Sequence, residues 1–237
     1  MLAGDSVAAE FAEPVITAAA DLGRGVALAT ENGCPFIKLR ITGSFTSETN
    51  CRQHDTQTLA AIKSLRPGLV VIGAQASEYL HAPGNGLAPF VGGKVDHSPA
   101  GKARLWESGL ALLVRQLNRQ GIPVLVIQPL PVFRSPPSEC AVVLVLAHRC
   151  ALEAHRATVV AFRRSAIQAQ NRAILGGSRA ATLDLIGHIC GAEVCTQNHD
   201  GTLMYRNRDH LSVDGSLRLT SPIKAAMAKL LLERVRR

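Results

Sequence analysis

Aromatic residues are scarce in this sequence and make up only 4% of its 237 positions. The core therefore has to be built from aliphatic side chains, mostly Leu, Val, Ile and Ala. Charged residues account for 19% and apolar residues for 47%, a composition that is typical of a globular protein and not of a disordered one. A length of 237 residues fits one α/β domain.

Long hydrophobic segments are absent as well. The longest apolar run, residues 141–147, falls far short of the ~20 residues that a membrane-spanning helix needs. The opening residues MLAGDS have neither the basic region nor the apolar stretch of a signal peptide. An exported protein with this sequence would need an upstream segment to direct its export.

Acidic residues are the minority charge, with 18 Asp and Glu against 26 Lys and Arg, which gives a net charge of +8. A basic surface favours polyanionic partners such as nucleic acid, anionic lipid or acidic glycans. The arginines are scattered, apart from one adjacent pair in the chain and a cluster at the C-terminus. Because no basic run is interleaved with aromatic residues, as a nucleic-acid groove would require, we expect no nucleic-acid partner.

None of the six cysteines is spaced as CxxC, and no histidine cluster accompanies them at the spacing of a zinc site. We therefore expect no metal and no cofactor. An even number of cysteines permits a disulfide framework, and free buried thiols in a cytosolic protein are the alternative. Disulfides would place the chain in an oxidising compartment.

Short apolar runs rich in β-branched residues predict the strands of a sheet. The clearest runs are residues 69–73 and 123–128, and weaker ones occur at 26–29 and 181–186. Continuous apolar strands that alternate with helices predict a parallel sheet covered on both faces. Leu2 and Ala3 have the character of the end of a first strand, so we expect a chain that is truncated at its N-terminus.

Helical spacing of apolar residues predicts the helices between these strands. One helix presents a buried face formed by Trp106, Leu110, Leu113 and Leu117. A shorter one presents Leu59, Ile62 and Leu65. Residues 153–175 are expected to form a long arginine-bearing helix, and residues 81–101 a long loop rich in Gly, Pro and His. Ser221 as N-cap and Pro222 predict the start of a last helix, whose inner face comprises Ile223, Met227, Leu230 and Leu231.

The first candidate for chemistry is the tripeptide Gly4-Asp5-Ser6, which follows the first strand and opens a helix. In a parallel sheet this order places the Ser6 hydroxyl at the carboxyl edge, where the active sites of such folds lie. The helix N-terminus adds backbone N–H groups and a partial positive charge, which stabilise a developing oxyanion. The alternative is that Ser6 only caps the helix.

The second candidate is the segment Asp209-His210-Leu211-Ser212, just before the last helix. A nucleophilic serine needs a base to accept its proton, and histidine has a suitable pKa. The loop before the last helix of such a sheet can return to the edge that carries Ser6. We interpret the remaining histidines as structural or solvated.

Together, the two ends of the chain resemble the SGNH hydrolase superfamily, and more closely the SGNH domains that are fused to acyltransferase-3 membrane domains. The motif GDS is shared with the wider superfamily, whereas the cysteine pattern and the segment DHLS are more specific. Further similar features are the strand and turn of residues 69–79 and, near the C-terminus, Tyr205 and Gly215. The similarity extends over nearly the whole chain.

This resemblance implies a three-layer α/β/α sandwich with a parallel flavodoxin-like sheet, the SGNH hydrolase fold, as a single domain over residues 1–237. It implies transfer of an O-acyl group, usually acetyl, to a cell-surface glycan such as a lipopolysaccharide side chain. An upstream acyltransferase-3 membrane domain would deliver the acyl donor and tether the protein to the inner membrane. The domain itself would lie in the periplasm and bind the acceptor glycan.

The resemblance also assigns roles to residues. Ser6 would carry the acyl group as an ester, and His210 would activate first Ser6 and then the acceptor hydroxyl. The backbone N–H of Ser6 or Val7 would line the oxyanion hole, and Gly33 could by its position offer a further N–H. Gln75 could serve as a donor in place of the oxyanion-hole Asn of the wider superfamily. The cysteines would form the disulfides Cys34–Cys51, Cys140–Cys150 and Cys190–Cys195.

The sequence departs from the family pattern in three places. The family's catalytic Asp stands three residues before the His, where this chain has Asn207. Asp209 is a second candidate partner for His210, although neighbours in sequence rarely face each other. Gln75 and Ala76 occupy positions where the family often has Arg and Trp, and no GxND block with an oxyanion-hole Asn is visible.

Arg206 and Arg208 are expected to border the site because they flank His210 closely in sequence. They could hold an anionic glycan, or they could be ordinary solvated charges. Two alternatives to acyl transfer are an esterase or deacetylase, which passes the acyl group to water, and a non-catalytic glycan-binding domain. The second alternative is motivated by Asn207.

Overall fold

The computed structural model describes residues 1–42, 46–81, 86–89, 95–139 and 152–235. Its central sheet consists of β1 (Leu2–Gly4), β2 (Leu28–Thr30), β4 (Val70–Gly73), β6 (Val124–Ile127) and β8 (Ala180–Leu183). These strands are parallel and lie side by side in the order β2-β1-β4-β6-β8. The chain therefore reverses its direction of winding between β1 and β4, which is where ligands bind in open α/β sheets.

Among the described residues, three short antiparallel pairs of strands lie outside this central sheet. The strand β3 (Arg40–Thr42) pairs with β5 (Gly86–Ala88), and β7 (Glu153–His155) pairs with β9 (Val194–Thr196). The strand β10 (Asn198–His199) pairs with β11 (Thr202–Leu203) just before the segment that carries His210.

In the described ranges the helices are α1 (Ser6–Glu10), α2 (Ala12–Asp21), α3 (Glu48–Leu65), α4 (Ala76–His81), α5 (Pro99–Arg119), α6 (Arg156–Leu175), α7 (Val213–Leu217) and α8 (Thr220–Val235). Two 3₁₀ turns cover Pro137–Glu139 and Ile186–His188. Local chemistry explains the starts of two long helices, because Ser47 caps α3 and Ser98 caps α5 with Pro99 in the first turn. Within the described ranges, no helix has the length and apolar character required to cross a membrane.

Alternate residues of the strands point to opposite faces of the sheet, and each face has its own helical layer. On one face Val70, Ile72 and Val124 pack with α3, α5 and α6. On the other face Val71 and Leu125 pack with α1, α2 and α8. The protein is therefore a three-layer α/β/α sandwich with a parallel sheet, which confirms the fold predicted from the sequence.

Gly4 and Gly73 end the neighbouring strands β1 and β4 and allow a close approach to the first helix. Gly4 has a φ of +143°, and a Cβ at this position would lie 1.9 Å from the carbonyl oxygen of Gly73. A Cβ at Gly73 would meet the backbone of Ala8 at 3.0 Å. The carboxyl edge of the sheet is thus packed directly against α1, the helix that Ser6 begins.

Several element boundaries differ from those predicted. The last helix begins at Thr220, before the expected cap Ser221, because the carbonyl of Leu219 already accepts the N–H of Ile223 at 3.2 Å. Residues 153–155 are a strand, since pairing with β9 takes precedence over helix formation there. Leu65 is 59% exposed because it is the last residue of α3. The expected loop at residues 81–101 contains β5 and the start of α5.

Candidate active site

Ser6 lies at the carboxyl edge of the sheet, as the first residue of α1. The side chain of the preceding residue, Asp5, caps this helix by accepting the N–H of Val7 at 2.8 Å. The position of Ser6 is therefore fixed on one side by the constrained Gly4 and on the other by the capped helix.

His210 reaches Ser6 from the opposite end of the sequence. Its Nε2 atom lies 2.7 Å from the Ser6 hydroxyl oxygen. A tight loop presents the ring, since the N–H of Arg206 donates to the carbonyl of His210 at 3.0 Å and Tyr205 forms a β-bridge with Leu211. The two motifs singled out in the sequence thus come together as a serine–histidine pair.

Asn207 shapes the loop that carries His210. Its side-chain oxygen accepts the backbone N–H of Asp209 at 3.0 Å and that of His210 at 2.7 Å. The Asn207 amide also lies close to the ring, with its nitrogen 3.1 Å and its oxygen 3.2 Å from Nδ1 of His210. Asn207 mainly stabilises the turn, because its only acceptor atom, Oδ1, already accepts two backbone N–H groups.

Asp209 faces the ring of His210, with Oδ1 at 3.1 Å from Nδ1. When Nε2 accepts a proton from Ser6, Nδ1 has to carry a hydrogen, and that hydrogen needs an acceptor. The Asp209 carboxylate is a charged acceptor, and its Oδ1 atom lies within hydrogen-bond distance of Nδ1. Side chains of sequence neighbours rarely contact each other. Here they do, because the turn that Asn207 stabilises brings the Asp209 carboxylate to the imidazole ring.

The electrostatics of Asp209 suit this arrangement. Burial by itself would raise the pKa of this carboxyl group. The hydrogen bond with His210 and the charges of His210 and Arg208 outweigh burial, so the pKa lies below its usual value. Asp209 is therefore ionised at neutral pH and offers a negative charge beside the imidazole.

Asp5 follows β1 and is hydrogen-bonded to the segment that follows the neighbouring strand β4. Besides capping α1, it accepts the backbone N–H of Gln75 at 3.2 Å and a hydrogen bond from the Tyr79 hydroxyl. Burial raises the pKa of Asp5 to about 6, against the opposing effect of these hydrogen bonds and of His210. Sequence reasoning treated Asp5 only as part of a motif and missed this role.

Glu10 is a second acid behind the site that the sequence did not reveal; the residue is half-buried, and its Oε1 atom is fully buried. Its Oε2 atom accepts the backbone N–H of Leu211, the residue after His210, at 2.7 Å. Burial raises the pKa of Glu10 well above its ordinary value, and the nearby Asp5 adds to this effect. The available signal was spacing, since Glu10 stands one helical turn after Ser6 and so lies on the same side of α1.

A cleft of about 170 Å³ opens beside the serine–histidine pair. Its lining includes Gly33, Asn32 and Gln75 together with Asp5, Ser6, Glu78, Tyr79, Asp209 and His210. Gln75 is 5% exposed, and its side-chain nitrogen and oxygen have no hydrogen-bond partner among the described residues. An unpaired buried amide beside the serine is suited to bind a developing oxyanion.

The other expected oxyanion donors differ in their surroundings. Gly33 lines the cleft, as does Asn32, which sequence reasoning missed. The N–H of Val7 already donates to Asp5, so the N–H of Ser6 is the better placed of the two backbone candidates in α1.

The two arginines near His210 take different positions. Arg208 forms an ion pair with Glu78, with 3.3 Å between Nη2 and Oε1, and Glu78 lines the cleft. Arg206 is exposed and does not line the cleft, although its charge acts on Glu10. Neither arginine lines the cleft itself, and Arg208 is linked to it through Glu78.

Two disulfides confirm pairs that were predicted from the sequence. Cys34–Cys51 ties the residue after Gly33 to α3 and so supports one wall of the cleft. Cys190–Cys195 ties the short segment after the second 3₁₀ turn to β9. The predicted pair of Cys140 and Cys150 lies outside the described residues.

In the parts of the chain that the structure describes, no three His, Cys, Asp or Glu side chains cluster so that they could hold a metal ion.

Comparison with known families adds an independent observation. A family model described as an SGNH domain fused to AT3 domains matches residues 1–225. No curated protein shows significant sequence similarity to the chain.

Solved structures share the fold at low sequence identity. The periplasmic domain of a lipopolysaccharide acetyltransferase from Salmonella ser. Paratyphi A superposes with a TM-score of 0.67 at 14% identity, over 96% of this chain and 82% of that one. A proposed SGNH hydrolase from Slackia heliotrinireducens gives 0.54 at 12% identity, over 95% and 96%. A proposed acylhydrolase from Bacteroides fragilis gives 0.51 at 13% identity, over 97% and 86%.

Proposed function

Because this chain belongs to the family of SGNH domains fused to AT3 domains, we propose that it transfers an O-acyl group, most simply acetyl, to a cell-surface carbohydrate. Membership in the family supports acyl transfer or ester hydrolysis as the general chemistry. The observation that carries the more specific proposal is the 2.7 Å contact between the Ser6 hydroxyl and Nε2 of His210 at the switch point of the sheet.

The first half of the proposed reaction loads the serine. The Ser6 oxygen attacks the acyl carbonyl of the donor while its proton passes to Nε2 of His210. The tetrahedral intermediate then collapses, the bond to the leaving group breaks, and the leaving group takes the proton from Nε2. Ser6 is left as an acyl ester, and the carboxylate of Asp209 stabilises the imidazolium that forms on the way.

The second half of the reaction transfers the acyl group. An acceptor sugar hydroxyl gives its proton to Nε2 of His210 and attacks the ester carbonyl. Collapse of the second intermediate releases the acylated sugar, and the Ser6 oxygen recovers the proton from His210. The side chain of Gln75 and the N–H groups of Ser6 and Gly33 would stabilise the oxyanion in both halves.

The cellular setting is part of the same proposal. We infer that residues 1–237 form one domain in the periplasm and that an AT3 membrane domain elsewhere in the full-length protein delivers the acyl donor and tethers it to the inner membrane. The two disulfides support an oxidising compartment. The likeness to the Salmonella periplasmic domain supports the same location.

Hydrolysis is the second candidate, since water could replace the sugar hydroxyl in the second half without any change in the machinery. The likeness to two proposed hydrolases favours this alternative. The third possibility is a binding domain without catalysis, which Asn207 suggests because an amide carries no charge. The contact between the Asp209 carboxylate and His210 argues against it, since a charged partner is present.

Hydrolysis of p-nitrophenyl acetate tests the shared first half. We expect the purified chain to release nitrophenolate and the variant Ser6→Ala to lose that activity. The matched control is Ser221→Ala, which removes an exposed hydroxyl on α8. Equal rates in all three proteins would refute a serine nucleophile at residue 6. Adding a candidate glycan to the assay then separates transfer from hydrolysis by mass spectrometry of the sugar.

A further inference from the structure

A second depression lies directly beside the active-site cleft. This groove has a volume of about 580 Å³ and shares Glu78 with the cleft. Arg208, which borders the groove, precedes Asp209, which borders the cleft. A ligand that occupied the groove could therefore extend one end to Ser6.

The walls of the groove are largely apolar. Its apolar lining consists of Val132, Phe133, Ala154, Val159 and Phe162. The ring of Phe162, which is partly exposed, stacks against His81 with 4.9 Å between centroids. His81 is held in turn by a 3.2 Å contact between its Nε2 and the Ser165 hydroxyl. This arrangement gives a fixed aromatic surface of the kind on which the apolar face of a sugar ring can pack.

The charged groups of the groove are predominantly cationic. Arg134 lines the groove, is exposed, and forms no ion pair with any described residue. The carboxylate on this lining, Glu78, is already paired with Arg208. The groove therefore combines the Arg134 guanidinium, which has no ion-pair partner among the described residues, with the aromatic ring of Phe162, and it complements an anionic ligand.

We propose that this groove binds the acceptor glycan and that the glycan carries an anionic group, either a carboxylate or a phosphate. One sugar ring packs on Phe162, the anionic group lies at Arg134, and a neighbouring sugar presents its hydroxyl to His210. The assignment of the ligand as an acceptor rests on the proposed function, whereas the binding itself does not require catalysis.

Binding of two trisaccharides tests the proposal. Trigalacturonic acid carries carboxylates and maltotriose is neutral, and calorimetry or NMR titration gives their dissociation constants. We expect the acidic sugar to bind roughly five- to tenfold more tightly.

The variant Arg134→Gln should abolish this preference for the acidic sugar. Phe162→Ala should weaken both sugars roughly fivefold. The control Arg164→Gln, an exposed arginine on the same helix as Phe162 but outside the groove, should change neither.

The outcomes separate this proposal from the catalytic one. Ser6→Ala should bind both sugars as the unsubstituted chain does, even though it has lost esterase activity. The proposal is overturned if the unsubstituted chain has no preference for the acidic sugar, or if Arg134→Gln keeps that preference. It is also overturned if Phe162→Ala alters only the preference for p-nitrophenyl octanoate over acetate, since the groove would then hold an acyl chain.

Discussion

Asp209 and His210 are adjacent in sequence, yet Oδ1 of Asp209 lies 3.1 Å from Nδ1 of His210. The residue three positions before the histidine, Asn207, instead accepts the backbone N–H groups of both residues. A carboxylate therefore contacts Nδ1 of His210 from residue 209, whereas the family pattern places its Asp at the position of Asn207. In the proposed reaction, Asp209 is then the charged partner of the imidazole.

Moving the carboxylate back provides a direct test of this relationship. Asp209→Asn should lower kcat for p-nitrophenyl acetate by about 10²- to 10⁴-fold, because the imidazolium loses its counter-charge. Asn207→Asp alone should raise kcat only modestly, because a carboxylate is already present. The double variant, with Asp at 207 and Asn at 209, should recover much of the loss. If Asp209→Asn retains full kcat, Asp209 has no part in orienting or charging His210.

Gln75 should affect turnover more than binding. The variant Gln75→Ala keeps the backbone N–H that donates to Asp5 and removes only the unpaired amide. Loss of one oxyanion donor typically costs about 10²- to 10³-fold in kcat, and we expect a loss of this size with little change in KM. Steady-state kinetics measure both constants. An unchanged kcat would leave the oxyanion to the backbone N–H groups.

Glu10 should act by positioning the loop that carries His210. In Glu10→Gln the amide oxygen can still accept the N–H of Leu211, so most activity should remain. In Glu10→Ala that buried N–H loses its acceptor, and kcat should fall roughly ten- to a hundredfold through misplacement of the ring. Glu13→Ala, an exposed acid on the next helix, is the control. Equal kcat in the Gln and Ala variants would argue against this role, and KM should change little in either.

Asp5 gives a pH dependence of stability with a definite sign. Burial raises its pKa from 3.8 to about 6, so the folded protein binds the proton more tightly than the unfolded chain does. Stability from this group is therefore present at low pH and is lost as the pH rises from about 4 to 6, by an amount on the order of 3 kcal/mol.

The variant Asp5→Asn isolates this effect from other titrating groups. At pH 4 it should be less stable than the unsubstituted protein, because a hydrogen-bonding oxygen is lost, but its own stability should not decline between pH 4 and 6. Urea unfolding of both proteins at pH 4, 5, 6 and 7 measures the difference. Parallel pH profiles would mean that Asp5 titrates near its ordinary value.

The sequence predicted the parts of this protein that depend on local pattern. The apolar runs around Val70 and Val124 identified buried parallel strands, and the motifs at Ser6 and His210 identified two side chains that lie 2.7 Å apart in the structure. The contacts of Glu10 and Asp5 were missed because both carboxylates accept backbone N–H groups of distant segments, at Leu211 and Gln75, and no side-chain motif marks such an acceptor. The orientation of Asp209 depends on a turn whose geometry follows from two backbone hydrogen bonds to Asn207.

The central claim is that Ser6 carries the acyl group, and trapping that ester tests it most directly. The chain is mixed with p-nitrophenyl acetate, quenched in acid within the first turnovers, digested with trypsin and sequenced by mass spectrometry. We predict an acetyl group on Ser6 in the peptide that ends at Arg24, and none in Ser6→Ala or His210→Ala. Release of nitrophenolate without an acetyl group on Ser6, or with equal labelling of the His210→Ala variant, would contradict the account.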